Sequence, residues 1–260
     1  TTKKLNLDKV EVIAGGVDHS EGVTVTPDQT IYCGGEAGQI YRIDNDLPVE
    51  VANVKGFMLG LASDAENRVY AIDNANKCVW RYDPKTGSTE KWLEGPKENP
   101  FNVPNHGAFG PDGSYYLTDS GDWAKRDGKV WVKKPGKKVT IFTQDSKNFP
   151  NGNAVSRDGT KLYVTMNISG KVQAWDLQAN KTIKSVKTGE AARSLDISSD
   201  GSALFVVNFN SDTVSKVRTS DMKVLQTINV CNEPIGVTYD SSTNRTWVAC
   251  YGGSLKVFAN

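Results

Sequence analysis

A pattern of short apolar runs and turns occurs six times along this chain. Each copy begins at a turn, continues into an alternating apolar run, passes an Asp/Gly-type turn and enters a second apolar run. The start positions of the six copies are Glu21, Leu59, Asn105, Asn151, Arg193 and Ile235. Successive start positions are 38, 46, 46, 42 and 42 residues apart. Repeats of about 40–50 residues with short strands are typical of β-propellers, whose repeats surround one central channel.

Each repeat divides into four predicted strands by its period-two alternation and its turn residues. The first and second strands of three repeats are joined by strong hairpin signals, the pairs Asp112–Gly113, Asp158–Gly159 and Asp200–Gly201. Only three strands are predicted in the sixth repeat, so we expect residues 9–13 (KVEVI) to supply its fourth strand. This closure would remove an exposed sheet edge. The sequence therefore predicts an all-β fold, a six-bladed β-propeller closed by an N-terminal strand, as a single domain over residues 1–260.

The composition excludes several classes of partner. Lys and Arg number 31 and Asp and Glu 30, a formal net charge of +1, and neither sign is concentrated along the chain. We therefore expect no nucleic-acid or membrane partner. No run reaches the roughly 18 apolar residues of a membrane helix, and no signal-peptide pattern opens the chain. Because the first residue is Thr rather than Met, we keep two locations open, the cytoplasm or secretion after loss of a leader. We expect a monomer that acts on or binds a small molecule.

The four cysteines show no metal-binding spacing. Cys33, Cys78, Cys231 and Cys250 form neither a CxxC nor a Cys/His pattern, which argues against zinc and thioredoxin-like chemistry. We interpret them as buried free thiols in strands. Cys33 and Cys250 belong to neighbouring blades and would pair only if their backbones approach closely.

Three segments of the first half carry a resemblance to a known family. They are Ser20–Gly22, the stretch from Val103 to Asp119 that contains Asn105 and His106, and the stretch from Pro150 to Val164. From about Gly16 to Thr165 the chain resembles the senescence marker protein, gluconolactonase and luciferin-regenerating-enzyme-like family of six-bladed propellers. The later repeats are more similar to those of surface-layer and related binding propellers.

The resemblance implies a lactone hydrolase with a divalent metal, expected to be Ca²⁺, at the channel mouth. In the family, a blade-one Glu, a blade-four Asn and a blade-five Asp hold the ion, helped by a blade-three Asn. Glu21, Asn151 and Asn105 match the Glu and the two Asn ligands. Arg193 stands where the resemblance requires the Asp, which is both ligand and base.

This exchange of Asp for Arg changes the local charge by two units. A guanidinium stays charged and offers no lone pair to a cation. At about 4 Å and an effective dielectric constant near 20, two unit charges interact by roughly 4 kcal/mol, so Arg193 would repel a divalent ion by about twice that. We therefore expect Arg193 to replace the ion and to pair with Glu21. A three-residue slip would bring Asp196 to this position instead, but it would break the strand alternation that follows.

The only two histidines of the chain lie beside start positions. His19 precedes Glu21 by two residues, and His106 directly follows Asn105. Histidine is well suited to proton transfer near neutral pH, although each could instead only close a surface loop. We predict catalytic roles for His106, Arg193 and Glu21.

A second group of residues is predicted to bind substrate. The family resemblance implies that the loop from Asp119 to Trp123 bounds the pocket, where Trp123 would stack on an apolar or ring-shaped ligand. We expect apolar groups at Leu59 and Ile235 on the same rim. The full predicted set is His19, Leu59, Asn105, Asp119, Trp123 and Ile235.

Three functions fit these residues. The first is a lactonase-like hydrolase of a small lactone or cyclic ester, with a metal held by Glu21, Asn105 and Asn151 and with His106 as base. The second is a metal-free enzyme of isomerase, cyclase or condensing type, in which Arg193 stabilises an oxyanion and Glu21 or His106 moves protons. The third is a non-catalytic propeller that binds a small molecule or a protein. The fold alone does not choose among them.

Overall fold

Six four-stranded antiparallel sheets make up the structure, a computed structural model that describes residues 11–259. Blades one and two contain β2 (Val23–Val25), β3 (Ile31–Gly34), β4 (Gln39–Asp44), β5 (Leu47–Asn53), β6 (Met58–Ser63), β7 (Val69–Asp73), β8 (Cys78–Asp83) and β9 (Ser88–Glu94). Blades three and four contain β10 (Pro104–Phe109), β11 (Tyr115–Asp119), β12 (Lys129–Lys133), β13 (Thr140–Thr143), β14 (Pro150–Val155), β15 (Lys161–Met166), β16 (Lys171–Asp176) and β17 (Lys181–Lys187). Blades five and six contain β18 (Ala192–Ile197), β19 (Ala203–Asn208), β20 (Thr213–Arg218), β21 (Lys223–Asn229), β22 (Pro234–Asp240), β23 (Arg245–Cys250), β24 (Ser254–Ala259) and β1 (Glu11–Gly15).

The first strand of each blade faces the centre of a closed ring. The inner strands β2, β6, β10, β14, β18 and β22 contact one another in this order, and β22 contacts β2. The fold is therefore an all-β, six-bladed propeller, which confirms the prediction from the repeats. We call the end where the inner strands begin the upper face, and the end where hairpins join them to the second strands the lower face.

Burial falls from the second strand of each blade to the outermost. Strands β7, β11 and β19 are buried at every position, because neighbouring blades cover both of their faces. The outer strand β17 (KTIKSVK) is exposed at nearly every position. Its lysines protect an edge that would otherwise offer unpaired backbone groups to another chain.

The N-terminal strand closes the ring. β1 pairs with β24 in antiparallel register, with Glu11 opposite Val257 and a bulge between Val12 and Ala14. This confirms the predicted closure, although residues 9 and 10 of the predicted strand lie outside the described residues. Within residues 11–259, no helix is long and apolar enough to span a membrane.

The cysteines differ from the prediction. Cys231 and Cys250 form a disulfide with their Cα atoms 6.3 Å apart, so the interpretation of all four as free thiols is wrong for these two. Cys33 and Cys78 are free and buried. Cys231 lies in the connection from blade five to blade six, which returns past the end of β23, where Tyr251 N donates to Glu233 O at 3.0 Å. This approach depends on the path of a connection, which residue spacing does not reveal.

Candidate functional site

An ion pair bridges the upper mouth of the channel. Arg193 Nη1 lies 3.1 Å from Glu21 Oε1, with the two side chains 27% and 12% exposed. Glu21 begins blade one and Arg193 blade five, so the pair passes across the opening in front of blade six. The predicted pairing of Arg193 with Glu21 is confirmed.

The Arg193 guanidinium is held from a second side. Its central carbon lies 4.2 Å from the ring centroid of Phe209, in the 3-10 helix Phe209–Ser211 that connects β19 to β20. A cation over an aromatic face is attracted by the ring quadrupole. The Arg193 Nε atom is buried and has no hydrogen-bond partner among residues 11–259. The guanidinium is thus fixed in place, and it retains N–H donors that do not contact Glu21.

Burial shifts the protonation equilibrium of Glu21. Removal from water raises the pKa of this carboxyl above its usual 4.5, while the nearby Arg193 charge acts in the opposite direction. A carboxylate with a raised pKa is a stronger base than an exposed one, and it is the type of group that enzymes use to accept protons.

The expected metal ligands do not fit a divalent ion. Asn105 and Asn151 are buried at the starts of β10 and β14, but they are neutral amides. The one carboxylate, Glu21, already contacts a guanidinium. Among the residues that the structure describes, no group of three or more His, Cys, Asp or Glu side chains is placed to hold a metal. Ca²⁺ requires about six to eight oxygen ligands, usually with several carboxylates, and a fixed cation opposes it here.

His106 lies in a different part of the channel. It lines a cavity of about 570 Å³ towards the lower face, together with Asn153 and Asp196. His106 Nδ1 lies 3.0 Å from Asn153 Oδ1, and Asn153 Nδ2 donates to the Tyr116 carbonyl at 2.8 Å. The backbone N–H of Asn153 also donates to His106 Nδ1, at 3.3 Å. Burial lowers the pKa of His106.

Asp196 belongs to the wall of the same lower cavity. Its carboxylate accepts hydrogen bonds from the backbone N–H groups of Tyr239 and Ile197, both at 2.7 Å, and from Thr238 Oγ1 at 3.1 Å. Burial raises the pKa of this carboxyl. The carboxylate is therefore held below the mouth by strand contacts, and it does not take the place of Arg193.

The predicted catalytic residues thus separate into two groups. Glu21 and Arg193 meet at the upper mouth, whereas no hydrogen bond or ion pair in residues 11–259 joins His106 to either of them. A role for His106 in the same step as Glu21 has no geometric support.

Trp123 and Arg193 line a second cavity, of about 500 Å³, at the upper face. Ile168 and Phe209 contribute apolar side chains to its wall.

Asp119, predicted to bind substrate, is instead buried. Its carboxylate accepts hydrogen bonds from the N–H groups of Asn102 at 2.9 Å and Val103 at 2.7 Å and from Trp131 Nε1 at 3.2 Å. These bonds anchor the connections of blade three.

Three other predicted substrate-binding residues lie away from both cavities. Leu59 and Ile235 are 5% and 1% exposed and line neither cavity, and Ile235 packs in an apolar cluster with Val23 and Cys33. His19 is half-exposed, with Nδ1 3.3 Å from Asp18 Oδ1 and 3.6 Å from Glu36 Oε2, and its ring centroid is 4.9 Å from that of Tyr251. His19 therefore belongs to a cluster at the surface of blade one.

The structure adds residues that the sequence analysis missed. Phe209 and Ile168 follow the second strands of their blades, as Trp123 does, so comparison of these connections would have indicated them.

Phe149 could not be recognised from the sequence, because what distinguishes it is its backbone conformation. It has φ 58° two residues before Asn151, as His19 (38°), Ala191 (54°) and Glu233 (52°) do before their start positions. The conformation recurs in four of the six blades, so it belongs to the path by which the chain enters an inner strand.

Solved structures share this architecture at low sequence identity. A gluconolactonase from Xanthomonas campestris superposes with a TM-score of 0.82 at 16% identity, covering 96% of this chain and 89% of that one. A putative gluconolactonase gives 0.81 at 14% identity, covering 97% and 92%. Virginiamycin B lyase from Staphylococcus aureus gives 0.72 at 12% identity, covering 97% and 99%. At these identities the similarity establishes the fold only.

Sequence comparison is more specific. No curated protein sequence matches the chain. The family profile described as the SMP-30/Gluconolactonase/LRE-like region matches residues 19–259, which include all six start positions. With its six-bladed fold, the chain belongs to the SMP-30/gluconolactonase/LRE-like family.

Proposed function

We propose that the chain hydrolyses a small lactone or cyclic ester at the upper mouth of the channel, without a divalent metal. The observation that carries this proposal is the Glu21–Arg193 pair. It joins a buried base to a fixed cation where family membership leads us to expect the chemistry. Membership of the SMP-30/gluconolactonase/LRE-like family also favours a lactone as the substrate.

The two side chains can supply both functions that ester hydrolysis needs. Glu21 removes a proton from a water molecule as the water oxygen bonds to the lactone carbonyl carbon. The carbonyl oxygen becomes an oxyanion, and Arg193 stabilises it. Collapse of this intermediate breaks the ring C–O bond, and the proton on Glu21 passes to the departing alkoxide. The product is a hydroxy acid, and Glu21 returns to its ionised form.

Arg193 has donors left for this task. A guanidinium carries five N–H donors in a rigid plane. Nη1 contacts Glu21 at 3.1 Å and Nε is buried, so a carbonyl oxygen would bind the remaining terminal N–H donors. Because Phe209 covers one face of the group at 4.2 Å, a carbonyl oxygen would approach in the guanidinium plane, where the donors point.

The test compares Glu21→Gln with Glu66→Gln on a panel of simple lactones. Glu66 lies in a lower-face hairpin and is 60% exposed, so it controls for loss of a carboxylate. We expect Glu21→Gln to lower kcat by about 100-fold or more and Glu66→Gln to change it less than about twofold. In the wild type, kcat/KM should fall as pH decreases through the pKa of Glu21, above 4.5, because protonation removes the base.

Two results would contradict the proposal. If Glu21→Gln retains wild-type turnover, the chemistry occurs elsewhere, and the lower cavity with His106 becomes the next candidate. If no lactone is hydrolysed but ligands bind saturably, the non-catalytic alternative is favoured. The mutual neutralisation of Glu21 and Arg193 is the observation that supports that alternative.

A further inference from the structure

We propose that the substrate carries a planar aromatic ring, bound by Trp123, Ile168 and Phe209 in the upper cavity. This inference rests on the proposed function, because Arg193, which would bind the carbonyl oxygen, lines the same cavity. It adds a chemical class of substrate to the proposed reaction.

Three apolar side chains converge on this cavity from three blades. Trp123 lies between β11 and β12, Ile168 between β15 and β16, and Phe209 between β19 and β20. Polar residues line the cavity too: Lys187, Glu190 and Asn210 are exposed, Ser169 is half-buried and Asn167 is buried. Ligand cavities commonly have volumes of about 300–1,000 Å³, and this one has about 500 Å³.

Trp123 is unusual in its exposure. It is 54% exposed, and it is the only exposed Phe, Tyr or Trp among residues 11–259. The other exposed large apolar residues, such as Ile183 at 51%, are aliphatic. An indole left in water forgoes the free energy of burial, of order 25 cal/mol for each Å² of apolar surface. A ligand that covers the ring would recover it.

The exposed ring is nevertheless held in position. Its centroid lies 5.0 Å from that of Phe149, with the ring planes at 63°. Its connection is braced by Asp122, whose Oδ1 accepts the N–H groups of Ala124 at 2.9 Å and Lys125 at 2.8 Å, and whose own N–H donates to Asp127 Oδ1 at 2.7 Å. A pre-positioned aromatic surface binds a ligand at a low entropic cost.

Phe149 supports the indole from the segment that enters blade four. Its φ of 58° recurs at the equivalent positions of blades one, five and six, so this backbone conformation belongs to the repeat. The ring of Phe149 packs edge to face against Trp123, and this contact fixes the exposed indole.

An aromatic ring suits this wall better than a polyhydroxylated one does. A flat π-surface can stack on the Trp123 indole in the offset or edge-to-face geometries that aromatic pairs prefer. Hydroxyls that face the side chains of Ile168 and Phe209 would lose hydrogen bonds to water without regaining them from these two groups, which is costly.

The test measures how Trp123→Ala changes kcat/KM for two six-membered lactones. Dihydrocoumarin has a fused aromatic ring, and δ-valerolactone lacks it. Because the two esters differ in intrinsic reactivity, the readout for each lactone is the ratio of variant to wild type. We expect Trp123→Ala to lower kcat/KM for dihydrocoumarin about tenfold and for δ-valerolactone less than about twofold. Trp123→Phe should restore most of the loss, and the matched control Ile183→Ala, on the outer strand β17, should change neither ratio.

Equal losses for both lactones in Trp123→Ala, or no loss for either, would overturn the inference while leaving the proposed hydrolysis intact. Failure of the proposed function is distinguishable from this. If the wild type hydrolyses neither lactone, calorimetric titration with the ring-opened acid of dihydrocoumarin still tests the subsite. Binding that weakens about tenfold in Trp123→Ala would support it, and absence of binding to the wild type would overturn it.

Discussion

Arg193 is the residue that most changes what the channel mouth can bind. The Glu and the two Asn ligands expected from the family resemblance are present, but the blade-five carboxylate is replaced by a cation 3.1 Å from Glu21. The replacement supplies an internal counter-charge for Glu21. One substitution therefore distinguishes a metal site from an ion-pair site.

This interpretation predicts that Arg193→Asp creates a metal site. The change removes the opposing cation and adds a carboxylate beside Glu21, in the same ring of start positions as Asn105 and Asn151. Calorimetric titration with Ca²⁺ should give about one site per chain, with a Kd of about 1 mM or tighter. Lys187→Asp makes the same charge change on the wall of the upper cavity and should not create the site. If Arg193→Asp binds no better than this control, Arg193 does not occupy the ligand ring.

At the scale of elements, the disulfide ties a blade connection to a strand. Cys231 and Cys250 enclose a loop with a sequence separation of 19. A cross-link over such a loop stabilises a protein by about 3 kcal/mol through the unfolded chain. We predict that the double variant Cys231→Ala/Cys250→Ala loses about this free energy of unfolding in urea titrations. Reductant should destabilise the wild type and leave the double variant unchanged. Equal effects of reductant on both proteins would mean that another contact responds to it.

The strands themselves were largely predictable, and the directions of their first side chains were not. Alternation and Asp-Gly turns locate the inner strands, because these signals are local. However, β6, β10, β14, β18 and β22 each have a register shift near their start. A bulge changes which face the following residues point to. Leu59 and Ile235 could therefore be assigned to start positions, whereas their burial, at 5% and 1% exposed, could not be predicted.

At the scale of the whole molecule, ring closure produces the candidate site. Glu21 and Arg193 are 172 positions apart in sequence, and they meet only because six blades return the chain to its starting point. The pairing was predictable once both residues were recognised as start positions of one ring. The division of the channel into an upper mouth and a lower cavity was not predictable. The placement of His106 and Asp196 in the lower cavity depends on the bulges and on contacts between neighbouring blades.

The central claim is that Glu21 and Arg193 perform hydrolysis without a divalent ion. The most direct test is lactone turnover by purified wild-type protein before and after treatment with a chelator, together with elemental analysis of the same samples. We predict that no divalent metal is present in stoichiometric amount and that kcat/KM changes less than about twofold on chelation. A stoichiometric metal, with turnover that is abolished by the chelator and restored by Ca²⁺, would contradict the claim.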